Sequence, residues 1–105
     1  MTSKEYLLNI QEKIKPSVLE GLSSVFHFKL EGEGGGDVTI KLENGNLSVL
    51  EGLSGEPTCV IRAKDENFKK LLKGELNPMM AILTGKLKIS NQSEMIKFAK
   101  LLGWM

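Results

Sequence analysis

The chain has 105 residues, 41% of them hydrophobic and 26% charged, with a formal net charge of +1. That length supports one hydrophobic core in one domain, residues 1–105, and that balance is not the composition of a disordered chain. The small charge gives no sign of nucleic acid, and one cysteine with one histidine leaves no disulfide, no thiol-rich metal site and no Ser-His catalytic pair.

Thr2 and Glu5 form a capping box, and Leu7, Ile10 and Ile14 follow at helical spacing. Lys15-Pro16 ends that helix, and Pro16 opens a short second turn through Leu22. The period then falls to two. In SVFHFKLE, Phe26, Phe28 and Leu30 share one face and His27, Lys29 and Glu31 the other. The run GEGGG connects this strand to DVTIKLE, whose inward set is Val38, Ile40 and Leu42. Asn44-Gly45 turns that strand back onto NLSVLEG. GLSGEP leads to TCVIRA, with Cys59, Ile61 and Ala63 inward, so three hairpins in series make an antiparallel meander with one apolar face.

The remaining chain supplies the cover for that face. Asp65 caps a helix with Phe68, Leu71 and Leu72 in its stripe, ending at Gly74. Asn77-Pro78 starts a short helix through Leu83, closed by Gly85, and KLKIS adds a fifth strand with Leu87 and Ile89 inward. Asn91 or Ser93 caps a terminal helix carrying Met95, Ile96, Phe98, Ala99, Leu101 and Leu102. The reading is an α+β fold: a five-stranded, largely antiparallel sheet with helices covering one face.

Catalytic signals are weak. The cluster Gly32, Gly34, Gly35 and Gly36 precedes a strand, whereas a phosphate loop precedes a helix and closes on Gly-Lys-Ser/Thr. Thr84-Gly85-Lys86 also leads into a strand. The carboxylates are scattered and no nucleophile has an evident base, so no enzyme activity and no cofactor is expected. The N-terminus lacks signal-peptide form, no apolar run reaches the ~18 to 20 residues of a span, and LLGWM is not a Ser-Lys-Leu address. A cytoplasmic protein is expected. Charge is uneven: residues 1–63 carry six bases and nine acids, residues 64–105 eight lysines and four acids. The basic part suits transient contact with an anionic membrane surface.

The soft apolar side chains are also unevenly placed. Apart from Met1, the methionines are Met79, Met80, Met95 and Met105, all in the last third. Methionine fills irregular gaps and suits surfaces that accept several shapes. Trp104 and Met105 put a greasy end on the chain, which folds over a cavity or docks on something.

Residues 68–89, read as F-x-x-L-L-x-G-x-L-N-P-M-x-A-x-x-T-G-K-L-K-I, closely resemble the signature region of sterol carrier protein 2-like domains. VFHFKLEGEGGGDVTIKLENG also resembles that family's first hairpin, and the likeness covers nearly the whole chain. It implies a lipid-binding and lipid-transfer domain without catalytic residues, with an apolar tunnel between sheet and helices. Fatty acids, fatty acyl-CoAs, sterols and phospholipids are the ligands it implies. Asn91-Gln92 departs from the Gly-Asp of many members and shapes the entrance to the last helix differently. The expected lipid contacts are Phe68, Leu72, Met80, Leu83, Met95, Phe98 and Leu102 from the cover, Ile61 and Ile89 from the sheet, and Trp104 at the mouth. Lys97 or Lys100 is placed to meet a head group. The alternative is a protein-interaction or dimerisation module with the same fold and a closed core. Either way, a monomer or weak dimer is expected.

Overall fold

The alternating segments become a five-stranded sheet in the computed structural model, which describes residues 2–10, 23–43 and 45–96. The elements are α1 (Ser3–Leu8), β1 (Ser24–Glu31), β2 (Gly36–Glu43), β3 (Asn46–Glu51), β4 (Cys59–Lys64), α2 (Asp65–Leu72), α3 (Pro78–Leu83) and β5 (Leu87–Ile89). Residues 92–96 are helical as well. The turn expected over 16–22, Asn44 and the chain beyond residue 96 lie outside the described residues. No helix among the described residues is long and apolar enough to cross a membrane.

Sheet order is β3-β2-β1-β4-β5, so the expected meander is corrected after its second hairpin. β1, β2 and β3 pair antiparallel, but β4 lies parallel to β1, with Phe26 opposite Cys59 and Phe28 opposite Ile61. GLSGEP is therefore a crossover and not a hairpin. Residues 52–58 carry the chain over three strand spacings, about 14 Å, and seven extended residues reach about 23 Å. A tight turn would have placed β4 beside β3. No Asn-Gly or Asp-Gly pair stands here to make one.

The crossover runs over the back of the sheet, and that explains two buried polar residues. His27 and Thr39 are register partners on the face opposite Phe26 and Phe28, and both are buried. Thr39 Oγ1 donates to Gly52 O (2.7 Å) and accepts from Ser54 N (3.0 Å). His27 Nε2 donates to Ser54 O (2.9 Å), which places a proton on Nε2. Strand alternation alone would have left both in water.

On the front face the inward sets meet the helices. Phe28 stacks between Phe26 and Phe68 of α2, with ring centroids 6.4 and 5.9 Å apart. Leu7 and Ile10 close the core from the N-terminal side. Thr2 caps α1 as expected, Oγ1 accepting from Glu5 N at 3.1 Å. At α2 the cap position falls to Lys64, and Asp65 becomes the first helical residue, paired with Lys69 one turn on at 3.3 Å. A carboxylate there also faces the positive end of the helix dipole.

Cys59 is fully buried, its Sγ donating to Asn91 O (3.4 Å), and burial pushes the thiol above its ordinary value. The native protein at pH 8 should therefore react with Ellman's reagent at least about a hundredfold more slowly than in guanidinium, since attack needs a thiolate and an opening. The unfolded chain loses this proton first. The contribution to stability is therefore intact below the free-thiol value of about 8.5 and is lost as pH rises through the higher native value.

Candidate functional site

α3 is the element whose chemistry its burial does not explain. Asn77 Oδ1 accepts from Met79 N (2.8 Å) and Met80 N (3.3 Å), and Pro78 sits at the first helical position, as the Asn-Pro pair predicts. The helix stops at Gly85, which takes φ of +77°. Lys86 N then reaches Ala81 O (2.8 Å) and Gly85 N reaches Ile82 O (3.2 Å), closing a Schellman motif. Six residues make less than two turns. Only Ala81 is buried, a small contact that seats the helix closely. Its large neighbours turn outward: Met79 is 67% exposed, Met80 53% and Leu83 76%.

An apolar helix facing outward forms one wall of a cleft of about 420 Å³. Met79, Ile82 and Leu83 line that wall, Leu87 and Ile89 of β5 the base, and Met95 and Ile96 the opposite side. Among the described residues, Asn77 and Gln92 are the polar side chains of the lining, and none of the lining residues is charged. The far wall is pinned from below. Asn91 Oδ1 caps it by accepting from Glu94 N (3.3 Å), Asn91 Nδ2 donates to Thr58 O (3.2 Å), and Ser24 Oγ donates to the Glu94 carboxylate. Among the described residues, no three His, Cys, Asp or Glu side chains gather to hold a metal ion.

Of the expected lipid contacts, Leu83, Ile89 and Met95 come together in this cleft. Ile61 and Phe68 are fully buried in the core, Leu72 packs against it half-buried, and Met80 is exposed outside the lining. Phe98, Leu102 and Trp104, with Lys97 and Lys100, lie outside the described residues. The sequence reading omitted Pro78, Met79, Ile82, Leu87 and Ile96, which line the cleft. A signal for two of them exists: Met79 and Ile82 stand at i and i+3, with the expected Leu83 at i+4, on one face of a helix. Between the sheet and α2, the rings of Phe26, Phe28 and Phe68 pack together.

The SCP-2 sterol transfer family model matches residues 4–102. Hydroxysteroid dehydrogenase-like protein 2 of Bos taurus is 31% identical over 99 residues, covering 91% of this chain and 23% of that protein. The chain thus spans about a quarter of that relative's length. The solution structure of the sterol carrier protein domain 2 of Helicoverpa armigera superposes with a TM-score of 0.74 at 25% identity, covering 93% of this chain and 80% of that one. Palmitated SCP2L2 of Aedes aegypti shares the fold at a TM-score of 0.76 and 18% identity, over 97% and 95% of the two chains. A family match over nearly every residue, joined to this sheet and these helices, places the chain in the SCP-2 sterol transfer family, whose domains bind and transfer lipids.

Proposed function

We propose that the chain binds the hydrocarbon part of a lipid in the cleft between α3, β5 and the helix at 92–96, and that a fatty acyl chain is the ligand it takes best. The observation that carries this reading is the outward apolar face of α3, whose Met79 and Leu83 flank a cleft lined, among the described residues, without a charge. Large exposed apolar side chains around a concavity mark a binding surface, and methionine adapts to occupants of different shape. The family's sterol transfer description and the palmitate of the Aedes aegypti protein agree with a lipid ligand.

The energetics suit a carrier. About fifteen methylenes withdrawn from water gain ~12 kcal/mol at ~0.8 each. Association costs at least ~4 kcal/mol, so affinity is no tighter than about micromolar and cargo leaves readily. Displacement of a fluorescent fatty acid by palmitate should give such an affinity. Leu83→Glu, at an exposed position that leaves the core intact, should weaken it about tenfold or more by placing a carboxylate beside the chain. Absence of palmitate binding at 100-fold higher concentration than ~1 μM would leave the closed interaction module in its place. An unchanged affinity in Leu83→Glu would move the ligand out of this cleft.

A further inference from the structure

β5 has two sides. Leu87 and Ile89 line the apolar cleft, while Lys86 and Lys88 line a second groove of about 470 Å³. Register makes the second side unusual. Lys88 is the partner of Arg62 on β4, and Arg62 is the partner of Lys29 on β1, so three cations stand in one row across three strands. Like charges directly opposite one another destabilise a sheet. The groove continues that row: Arg62, Lys64, Lys70, Lys86 and Lys88 line it, against the carboxylates Glu31 and Glu66. None of these cations makes an ion pair within 4 Å among the described residues, whereas Lys4 is paired with Glu51 and Lys69 with Asp65. A solvated face needs no such concentration, since interspersed signs keep a protein soluble at lower cost.

From this row and this groove we infer a binding site for a doubly or multiply charged phosphate group. Arg62 supplies a planar fork of N–H groups that donates to two phosphate oxygens, and the lysines supply point charges around it. Thr84 and Gly85 of the α3–β5 turn form part of the wall. The apolar cleft begins at Leu83 and Leu87 on either side of that turn, so the two sites flank one short helix–strand connection. The phosphate is either free or the head group of a lipid. Only the second source rests on the proposed function; the anion site stands without it.

The test uses the full chain and inorganic pyrophosphate at low ionic strength, read by thermal shift and titration. Wild type should melt higher with pyrophosphate, and salt near ~0.3 M should erase most of the gain by screening these exposed charges. Arg62→Gln with Lys88→Gln should bind it at least about tenfold more weakly, and Arg62→Lys should fall between. Without the anion the double variant should melt no lower than wild type, because it removes like-charge repulsion, and this separates lost binding from lost folding. A second arm sediments the protein with phosphatidylcholine vesicles with and without phosphatidic acid. Binding that needs phosphatidic acid and fails in the double variant assigns the head group; a pyrophosphate response alone assigns free phosphate. If neither probe binds, or the double variant binds both as wild type does, the site is overturned. The fluorescent fatty acid should bind the double variant as it binds wild type. Pyrophosphate binding without fatty acid binding would sink the cleft and keep the groove.

Discussion

Phe28→Ala lowers the urea midpoint of unfolding by about 2 to 3 M. Phe28 has no exposed surface and touches rings on both sides, Phe26 along its own strand and Phe68 on α2. Truncating a buried phenylalanine costs ~3 to 5 kcal/mol, through lost transfer energy and the cavity left behind. A domain of this size has ~5 to 15 kcal/mol in total, and a slope of ~1.5 kcal/mol per molar urea converts the loss into the midpoint shift. Phe28→Leu keeps most of the volume and should shift the midpoint less than half as far. If Phe28→Ala unfolds within about 0.5 M of wild type, α2 does not hold the front of the sheet in the way its ring contact indicates.

The second large effect lies on the other face. Thr39→Val keeps shape but removes one donor and one acceptor, leaving Gly52 O and Ser54 N without partners beneath the crossover. Each stranded group costs ~1 to 3 kcal/mol, so the substitution should cost ~2 to 6 kcal/mol in all and lower the melting temperature by about 10 to 30 °C. Thr39→Ser retains the hydroxyl and should lose well under half of that. Amide exchange at Ser54 gives the specific readout: it should accelerate in Thr39→Val and stay slow in Thr39→Ser. Equal exchange in the two variants would show that the hydroxyl does not fasten the crossover.

Local chemistry was legible wherever it decides local structure. The Thr2 cap, the Asn77-Pro78 start, the glycine stops at 74 and 85, and the inward sets of β1, β2, β4 and β5 are all read from periods and capping residues. What stayed hidden depends on long-range placement. Nothing in GLSGEP says which edge of the sheet β4 will join, and the burial of His27 and Thr39 follows from that choice. The cleft was half legible for a different reason. In a helix of fewer than two turns, almost every residue fits some face, so Met80 was as good a candidate as Met79. The docking of Ala81 breaks the tie, and a sequence does not display docking.

The parallel pairing of β1 with β4 also sets the order in which the molecule assembles. β1, β2 and β3 find one another across short hairpins, but Phe26 must meet Cys59 over a separation like the 33 residues between Val25 and Thr58. Closing that distance is the slow part of the search, and topologies that depend on it fold in milliseconds or longer rather than microseconds. Everything that builds the cleft and the basic groove, from β4 onward, is downstream of that closure. A nascent chain should therefore reach its hairpins before its capacity for ligand, and a ligand in the proposed cleft, by holding β5 to α3, would slow unfolding of the elements that were last to arrive.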